Sequence, residues 1–398
     1  MTQRFRLTMF GMLYVVQGVG LAYFRNFQKP YLDGLGVDAN TIGLLTLILQ
    51  LPFVLKIFIG LVSDRVNLLG LGHRKPYILL GLLLAALSFG GAAFALPDRH
   101  LGTFSLLVIL GSFSVTLFDS TADGLAIDIT PRDQQGRVQG VMVAGRAGAF
   151  ILLSLAFGGI VQRYGYQPVF LAIGAAMLLP LAWVVVLREP AERDATARFE
   201  WSAFRELGRP RFLWFAAYAV IYSVGSFGVD GLVSYFLSLE FGAAESVVGR
   251  YGAMRGLGAV AGAVVGGLLL DRISRRWSAL GATVAITVGA ILLGLAPTAG
   301  AVVALGLVWG VIWALQETVF FALAMGIADA RIAASMFAIM MGVSNLGSAV
   351  ADGAATALSD DLGFRGVLLG LAAINLVTLP ALGRLFRVAP EIGGRGTT

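Results

Sequence analysis

The feature that most constrains this sequence is a series of about twelve apolar runs, each long enough to cross a bilayer. A spanning helix needs roughly 20 consecutive, mostly apolar residues. Inside the hydrocarbon every backbone N–H and C=O has to be satisfied by the protein itself, so such runs form helices. The sequence therefore predicts an all-α membrane protein with 12 transmembrane helices. We expect the spans at 7–32, 41–62, 77–96, 104–127, 138–161, 169–186, 212–239, 247–270, 280–296, 301–328, 332–358 and 367–385.

The composition excludes the main soluble classes. Of the 398 residues, 58% are hydrophobic and only 13% are charged. A soluble domain carries about 25% charged residues, because it has to cover its surface with them. Soluble enzymes, nucleic-acid binders and disordered proteins are excluded on this ground. Outer-membrane barrels are disfavoured because their strands alternate between apolar and polar residues.

Residues for metal binding or covalent catalysis are scarce. Cysteine is absent, and the two histidines, His73 and His100, lie in different loops. The sequence predicts no metal site, no cofactor and no nucleophile–base pair, so an enzyme is not expected. The net charge of +6 comes from arginines in loops, and nucleic acid is not an expected partner.

The placement of lysine and arginine predicts the orientation. In short loops these residues concentrate on the cytoplasmic side of a membrane. Here they concentrate at the N-terminus, in the loops after even-numbered spans and in the C-terminal tail. We expect both termini in the cytoplasm and a multi-pass location in the inner membrane of the cell.

The two halves of the sequence repeat each other. The segment Gly60-Leu-Val-Ser-Asp-Arg65, followed by Arg74-Lys75, has a counterpart in Gly266-Gly-Leu-Leu-Leu-Asp-Arg272, followed by Arg275-Arg276. We call residues 60–75 and 266–276 the first and second signature loops. The repeat predicts six-helix bundles at 1–187 and 212–387, a linker at 188–211 and a cytoplasmic tail at 388–398.

The duplicated loop resembles the signature loop of the major facilitator superfamily of transporters. The resemblance covers the whole chain and implies two pseudo-symmetric bundles, alternating access and a monomer. An acid at such a helix end makes contacts that exist in one gate state only, and so biases the equilibrium between states. The alternative is that these charges only anchor the topology. The expected gating residues are Asp64, Arg65, Arg74, Asp128, Asp271 and Arg272, with Asp128 paired to Arg65 or Arg74.

Two motifs narrow the resemblance. Leu51-Pro-Phe-Val-Leu-Lys56, followed by Asp64, is similar to the second helix of the peptide/acetyl-CoA transporters, which include the muropeptide permease, and of the folate–biopterin transporters. Asp119-x-x-x-Asp123-x-x-x-x-Asp128 resembles the acidic fourth helix of the same branches. The resemblance implies an organic anion as solute. The fifth helix lacks the Gly-Pro pair of the drug/proton antiporter branch, which disfavours drug export.

Ionisable side chains inside the spans are the candidates for proton coupling, because they are costly there and usually functional. Asp119 and Asp123 lie one helical turn apart and share a helix face. Two neighbouring carboxylates repel each other when both are charged, which suits reversible proton binding. Glu317, which follows Asp119 by 198 positions in the second half, is the third candidate. The alternative for the pair is a static ion pair with Lys56 or Arg146.

Cationic and aromatic side chains inside the spans are the candidates for substrate binding. Arginine binds carboxylate or phosphate through two parallel hydrogen bonds. The alternative is that Arg25 only reaches the membrane interface and that the aromatic rings only pack. The candidates are Arg25, Lys56, Arg146, Arg255, Tyr23, Tyr222 and Trp313.

Together these features predict a secondary active transporter that moves a small organic anion, coupled to protons. Its expected partners are the small-molecule solute, protons and the lipid bilayer. A proton-driven exporter of drugs or other small molecules is the alternative. A membrane receptor or scaffold is disfavoured, because a scaffold has no need of buried charge.

Overall fold

The computed structural model describes residues 2–70, 72–95, 97–131, 134–189, 205, 208–327 and 333–394. Within these residues the chain consists of helices joined by short connections and contains no strand. The predicted all-α fold class is confirmed.

The described residues of the first half of the chain contain nine α-helices. They are α1 (Gln3–Asn26), α2 (Gln28–Asp33), α3 (Ala39–Val54), α4 (Lys56–Arg65), α5 (Lys75–Ala92), α6 (Pro97–Ile129), α7 (Gln135–Tyr164), α8 (Gln167–Met177) and α9 (Leu181–Val186). Seven helices follow between residues 210 and 388. They are α10 (Pro210–Phe241), α11 (Glu245–Arg272), α12 (Arg275–Gly294), α13 (Ala299–Ile327), α14 (Ala333–Ala357), α15 (Ser359–Leu376) and α16 (Thr378–Val388).

Eleven helical stretches of the described chain are long and apolar enough to cross a membrane. Helix α14 stands in the place of the eleventh predicted span, whose start at 332 lies outside the described residues. Several helices extend past the apolar runs, because a helix continues into polar residues beyond the hydrocarbon; α6, for example, begins at Pro97. The orientation of the termini stays a prediction.

Helical geometry is interrupted at two places in the first half of the chain. The second span is interrupted at Leu55, three residues after Pro52. Proline lacks a backbone N–H and crowds the preceding turn, so helices kink beside it. The interruption makes Lys56 the first residue of α4. Helix α6 departs from helical geometry at His100 (φ −137°, ψ 49°) and then continues to Ile129.

The helices form two compact units. Unit 1 comprises Met1–Gly36 and Ile48–Arg198, and unit 2 comprises Val37–Leu47 and Phe199–Thr398. In unit 1, α1 packs against α7 and α5 against α6; in unit 2, α11 packs against α13 and α10 against α14. The predicted linker at 188–211 falls largely outside the described residues, and the predicted bundle limits stay a prediction.

A glycine lets α1 and α7 approach closely in unit 1. A Cβ atom at Gly18 would collide with the backbone carbonyl oxygen of Arg146 on α7. Small residues at helix crossings allow such backbone contact in membrane proteins. Because Gly18 follows Gln17 in α1, this contact brings the backbone of Arg146 close to Gln17.

Candidate functional site

Unit 1 holds a lysine bound to two carboxylates. Lys56 Nζ lies 2.6 Å from Asp119 Oδ2 and 2.7 Å from Asp123 Oδ2. Helix α6 is continuous here, so the two acids project from one face, as their spacing predicts. The ion pair that was one alternative for these acids is therefore present, and Lys56 is its cation.

Two polar residues of α1 bind the free oxygens of the same acids. Gln17 Nε2 donates to Asp119 Oδ1 at 2.7 Å, and the Tyr14 hydroxyl donates to Asp123 Oδ1. The sequence suggested Tyr14 only as an aromatic wall of the cavity, and it predicted neither residue as a partner of these acids. The signal was their spacing, since residues three apart on a helix are neighbours on one face.

Arg146 completes the group that we call the unit-1 cluster: Tyr14, Gln17, Lys56, Asp119, Asp123 and Arg146. Its Nη1 donates a long hydrogen bond of 3.5 Å to Gln17 Oε1, and its guanidinium lies 5.6 Å from the centre of the Tyr14 ring. The cluster thus contains two carboxylates and two cations. Asp119 is almost completely buried, with 5% of its side chain exposed, whereas 35% of Asp123 and 32% of Lys56 is exposed.

Unit 2 holds a different ion pair, which we call the unit-2 pair. Arg255 on α11 binds Asp230 on α10 through two parallel hydrogen bonds, Nε to Oδ1 and Nη2 to Oδ2, both 2.8 Å long. Trp309 Nε1 donates to Asp230 Oδ1 at 3.0 Å, and the Arg255 guanidinium lies 4.0 Å from the centre of the Trp313 ring. Arg255 and Trp313, both predicted to bind substrate, are therefore neighbours.

Glu317, the predicted counterpart of Asp119, is bound by a hydroxyl group. Tyr222 on α10 donates to Glu317 Oε1 at 2.6 Å, and Ser344 on α14 lies 3.4 Å from the same hydroxyl. The Tyr222 ring stacks on Phe320 with 4.8 Å between centres. Both units thus place a tyrosine of their first span against an acid of their fourth.

The remaining candidates for substrate binding lie apart from these groups. Tyr23 is fully buried in unit 1 and packs edge-on against Phe24 and Phe170. Arg25 lies in the last turn of α1, about 12 Å along the helix from Gln17. Their roles in binding stay predictions.

Arg74 ties the first signature loop to two helices of unit 1. Its Nη1 donates to Ser63 Oγ on α4 at 2.6 Å, and its Nε lies 3.3 Å from Asp128 Oδ2 on α6. The guanidinium is buried, so the pair is shielded from solvent. The expected partner of Asp128 is found in Arg74, and the gating role of the pair stays a prediction.

The segment after the sixth span of unit 1 also binds this loop. The Glu189 carboxylate accepts hydrogen bonds from the backbone N–H groups of Arg74 (2.8 Å) and Lys75 (3.3 Å), at the N-terminus of α5. In return Lys75 Nζ donates to the carbonyls of Val185 (2.6 Å) and Leu187 (2.9 Å). An acid at a helix N-terminus and a cation near a C-terminus are both favourable. Gly72, at φ +120°, leaves the space that the Glu189 carboxylate occupies.

Unit 2 has a counterpart at the second signature loop. The backbone N–H of Arg275, the first residue of α12, donates to the carbonyl of Gly394 at 3.2 Å. Ala389 and Ile392, which follow α16, are buried. In both units, then, the segment after the sixth span returns to the start of the third.

The other predicted gating residues give less information. The side chains of Asp64 and Asp271 lie outside the described part of the structure. Arg65 and Arg272 are exposed. In the described ranges, no group of three or more His, Asp or Glu side chains is arranged to hold a metal ion.

Comparison with known proteins places this geometry in context. The family model of the Major Facilitator Superfamily matches residues 8–351 and, in a second match, residues 219–397. A folate-biopterin transporter of Synechocystis is 25% identical over 416 aligned positions, which cover 96% of this chain and 81% of that protein. The anhydromuropeptide permease of Escherichia coli is 24% identical over 265 positions, covering 65% of this chain and 54% of the permease. In fold, the chain is similar to a bacterial homologue of the human lysosomal transporter Spinster, with a TM-score of 0.78, 16% identity and complete coverage of both chains.

Proposed function

The chain belongs to the major facilitator superfamily, and from that premise we propose that it couples the transport of a small organic anion to protons. Like the other members of the family, it is a multi-pass membrane transporter and not an enzyme. The finer proposal rests on one observation, which is the arrangement of charges in the unit-1 cluster.

The charges of the unit-1 cluster balance when all four groups are ionised. Asp119 and Asp123 supply two negative charges, and Lys56 and Arg146 supply two positive ones. One added proton leaves a net charge of +1, which an anionic solute neutralises. A net charge inside a membrane protein is costly, so proton and anion favour each other's binding. Glu317 is included in the proposal as a third candidate for a proton-accepting carboxylate, after Asp119 and Asp123.

The names of the relatives agree with an anionic solute. Folates and muropeptides carry carboxylates, and the relatives are named as a folate-biopterin transporter and an anhydromuropeptide permease. We propose a solute of this chemical class, carried across the inner membrane by a monomer through alternating access.

Arg255 enters the proposal with a condition. Two hydrogen bonds of its guanidinium go to Asp230 in a bidentate pair. Binding of a substrate carboxylate by Arg255 therefore requires an exchange of partners. Lys56, by contrast, binds two acids. When a proton neutralises one of them, Lys56 keeps its contact with the other.

The test is uptake into proteoliposomes under an imposed pH gradient. The solute panel contains folates, pterins, anhydromuropeptides and hydrophobic drugs, and thermal stabilisation by each solute selects the ones to assay. We expect Asp119→Asn and Asp123→Asn to lower proton-driven accumulation by about 100-fold, the scale of losing a positioned proton-transfer group. The matched control is Asp98→Asn, an exposed acid in the first turn of the same helix.

Two outcomes would overturn the proposal. Unchanged proton-driven accumulation in both cluster variants excludes coupling by these acids. Transport of hydrophobic drugs alone, retained in Lys56→Ala, favours the exporter instead.

A further inference from the structure

The two acids of the unit-1 cluster differ in what binds them. Asp119 has an N–H donor at each oxygen, Gln17 Nε2 at Oδ1 and Lys56 Nζ at Oδ2. A charged carboxylate accepts both hydrogen bonds. A proton on either oxygen would place an O–H against an N–H, and one of the two bonds would be lost.

The Gln17 side chain has no second orientation that would relieve this conflict. Its Oε1 faces Arg146 Nη1, and a guanidinium can only donate. Turning the amide to accept a proton from Asp119 would place its NH₂ group against the guanidinium. This arrangement of Gln17 therefore favours the charged form of Asp119.

Asp123 has a partner that adapts to either protonation state. Its Oδ1 accepts from the hydroxyl of Tyr14, and its Oδ2 binds Lys56. A hydroxyl group donates one hydrogen bond and accepts two. When Asp123 takes up a proton, its new O–H can donate to the Tyr14 oxygen after the phenol hydrogen rotates away.

Access to water distinguishes the acids in the same direction. The side chain of Asp123 is 35% exposed and that of Asp119 is 5% exposed. Proton exchange needs a path of water or hydroxyl groups to the carboxylate. The hydrogen-bond partners and the access to water both favour Asp123 over Asp119 as the acid that exchanges a proton.

Each helix packed against α6 brings a charged or titratable group near Asp123. Tyr14 from α1 and Lys56 from α4 contact it directly. Arg146 from α7 lies over the Tyr14 ring, and the guanidinium of Arg74, the residue before α5, lies at the neighbouring Gly124 and binds Asp128. On α6 itself the near charge is Asp119. None of these groups changes the comparison, because Lys56 contacts both acids and Arg74 is bound to Asp128.

We propose that Asp123 is the carboxylate that takes up and releases the transported proton, while Asp119 stays charged as the fixed counter-ion of Lys56. The inference rests on the proposed function. In the loading step Asp123 and a proton from water form a neutral carboxylic acid, and Lys56 keeps Asp119 as its partner. The site then carries one uncompensated positive charge, which the solute anion balances. Release of the proton restores the Lys56–Asp123 contact and displaces the anion.

The decisive comparison is between Asp123→Asn and Asp119→Asn, assayed for both proton-driven accumulation and solute exchange at equal pH. Asparagine imitates the protonated acid, so Asp123→Asn is expected to keep exchange, without pH dependence, and to lose accumulation by about 100-fold. Asp119→Asn is expected to lose exchange as well, because Lys56 is left without its permanent counter-ion.

A pH profile tests the role of Tyr14 as a positioning residue. Phenylalanine at position 14 can neither donate to the charged Asp123 nor accept from the neutral one. The charge-assisted bond is the stronger of the two, so Tyr14→Phe is expected to move the half-maximal pH of uptake upward. Tyr164→Phe, on the exposed end of α7, is the control and leaves the profile in place.

The outcomes separate this inference from the proposed function. Proton-driven accumulation that survives in both Asp variants overturns the proposed function. Equal loss of exchange and accumulation in both, or accumulation lost only in Asp119→Asn, overturns the assignment to Asp123 while coupling stands. An infrared difference spectrum between acid and neutral pH covers the case in which Asp119→Asn does not fold. Subtraction of the Asp123→Asn spectrum from that of the parent must leave a carboxylic-acid band, and the absence of such a band contradicts the assignment.

Discussion

The two units solve the problem of buried charge in different ways. Each sets a tyrosine of its first span against an acid of its fourth, Tyr14 with Asp123 and Tyr222 with Glu317. In unit 1 the acid shares its lysine with a second acid. In unit 2 the arginine is bound in a bidentate pair by another residue, Asp230.

The difference teaches that a buried cation responds to a proton only when its counter-ions can be exchanged. Protonation of Asp123 changes the charge balance around Lys56 directly. Protonation of Glu317 leaves the bonds between Arg255 and Asp230 intact. We therefore expect unit 1 to carry most of the coupling of protons to solute, and unit 2 to contribute mainly fixed charge and shape, with a smaller part in coupling for Glu317.

The largest expected effect is on stability and lies in unit 2. Removing one partner of a buried ion pair leaves the other uncompensated, so Arg255→Ala should lower the free energy of unfolding by about 3–5 kcal/mol. Denaturation of the purified protein in detergent measures it. Lys56→Ala should lower stability less, because Asp123 can take up a proton and so restore the charge balance of the unit-1 cluster.

The control for Arg255→Ala is Arg250→Ala, an exposed arginine on the same helix. It should change the free energy of unfolding by no more than about 0.5 kcal/mol. Equal effects of the two substitutions would mean that the unit-2 pair is not a fixed element. The double variant Asp230→Asn with Arg255→Gln should recover part of the loss.

A smaller effect is expected on coupling through Glu317. Glutamine keeps an acceptor for the Tyr222 hydroxyl but cannot bind a proton, so Glu317→Gln should reduce steady-state accumulation by about tenfold, or ~1.4 kcal/mol. Asp123→Asn should reduce it more strongly. The control is Asp360→Asn, at the exposed start of α15. Complete loss in Glu317→Gln alongside retained accumulation in Asp123→Asn would transfer coupling to unit 2.

The smallest effect concerns an acid outside the spans. Asp38 precedes α3 and accepts hydrogen bonds from the Thr41 hydroxyl (2.7 Å) and the Thr41 backbone N–H (3.0 Å). These bonds hold the pKa of Asp38 below its usual range. Because the pKa is lower in the folded state, the stabilisation is present above the unfolded pKa of about 4 and is lost as the pH falls through the folded value.

Asp38→Asn keeps the helix cap and removes this titration. We expect the melting temperature of the variant to fall less than that of the parent between about pH 6 and pH 3, the range in which carboxylates titrate. Transport should be unchanged, in contrast to both cluster variants. A parallel fall of the two melting curves with acid would contradict this account.

The fold follows from the sequence because run length and hydrophobicity dictate helices in a bilayer. The face shared by Asp119 and Asp123 follows from helical spacing alone. The interruption at Leu55 did not follow, because proline disturbs the turn that precedes it, whereas Leu55 lies three residues after Pro52.

Partners across helices were harder to predict. Tyr14 and Gln17 are uncharged residues in an apolar run, and such residues usually bind their own backbone or pack. Asp230 and Arg255 lie on adjacent helices. Predicting that they pair requires the height of each residue in the membrane, and the sequence does not define the ends of the spans closely enough to give it. The partner of Asp128 was predictable as an arginine of the first signature loop, because both lie at the same end of their helices.

The contact of Glu189 with the start of α5 bears on how the chain is made. A ribosome delivers the sequence from the N-terminus, and early domains fold before later ones exist. The carboxylate that caps α5 follows the last helix of unit 1, so this cap becomes available once the chain has emerged as far as Glu189. The corresponding bond of α12 waits for Gly394, which follows the last helix of unit 2. The first signature loop can thus be secured while the second half is still being translated, and a nascent chain halted after unit 1 should already protect it from proteolysis.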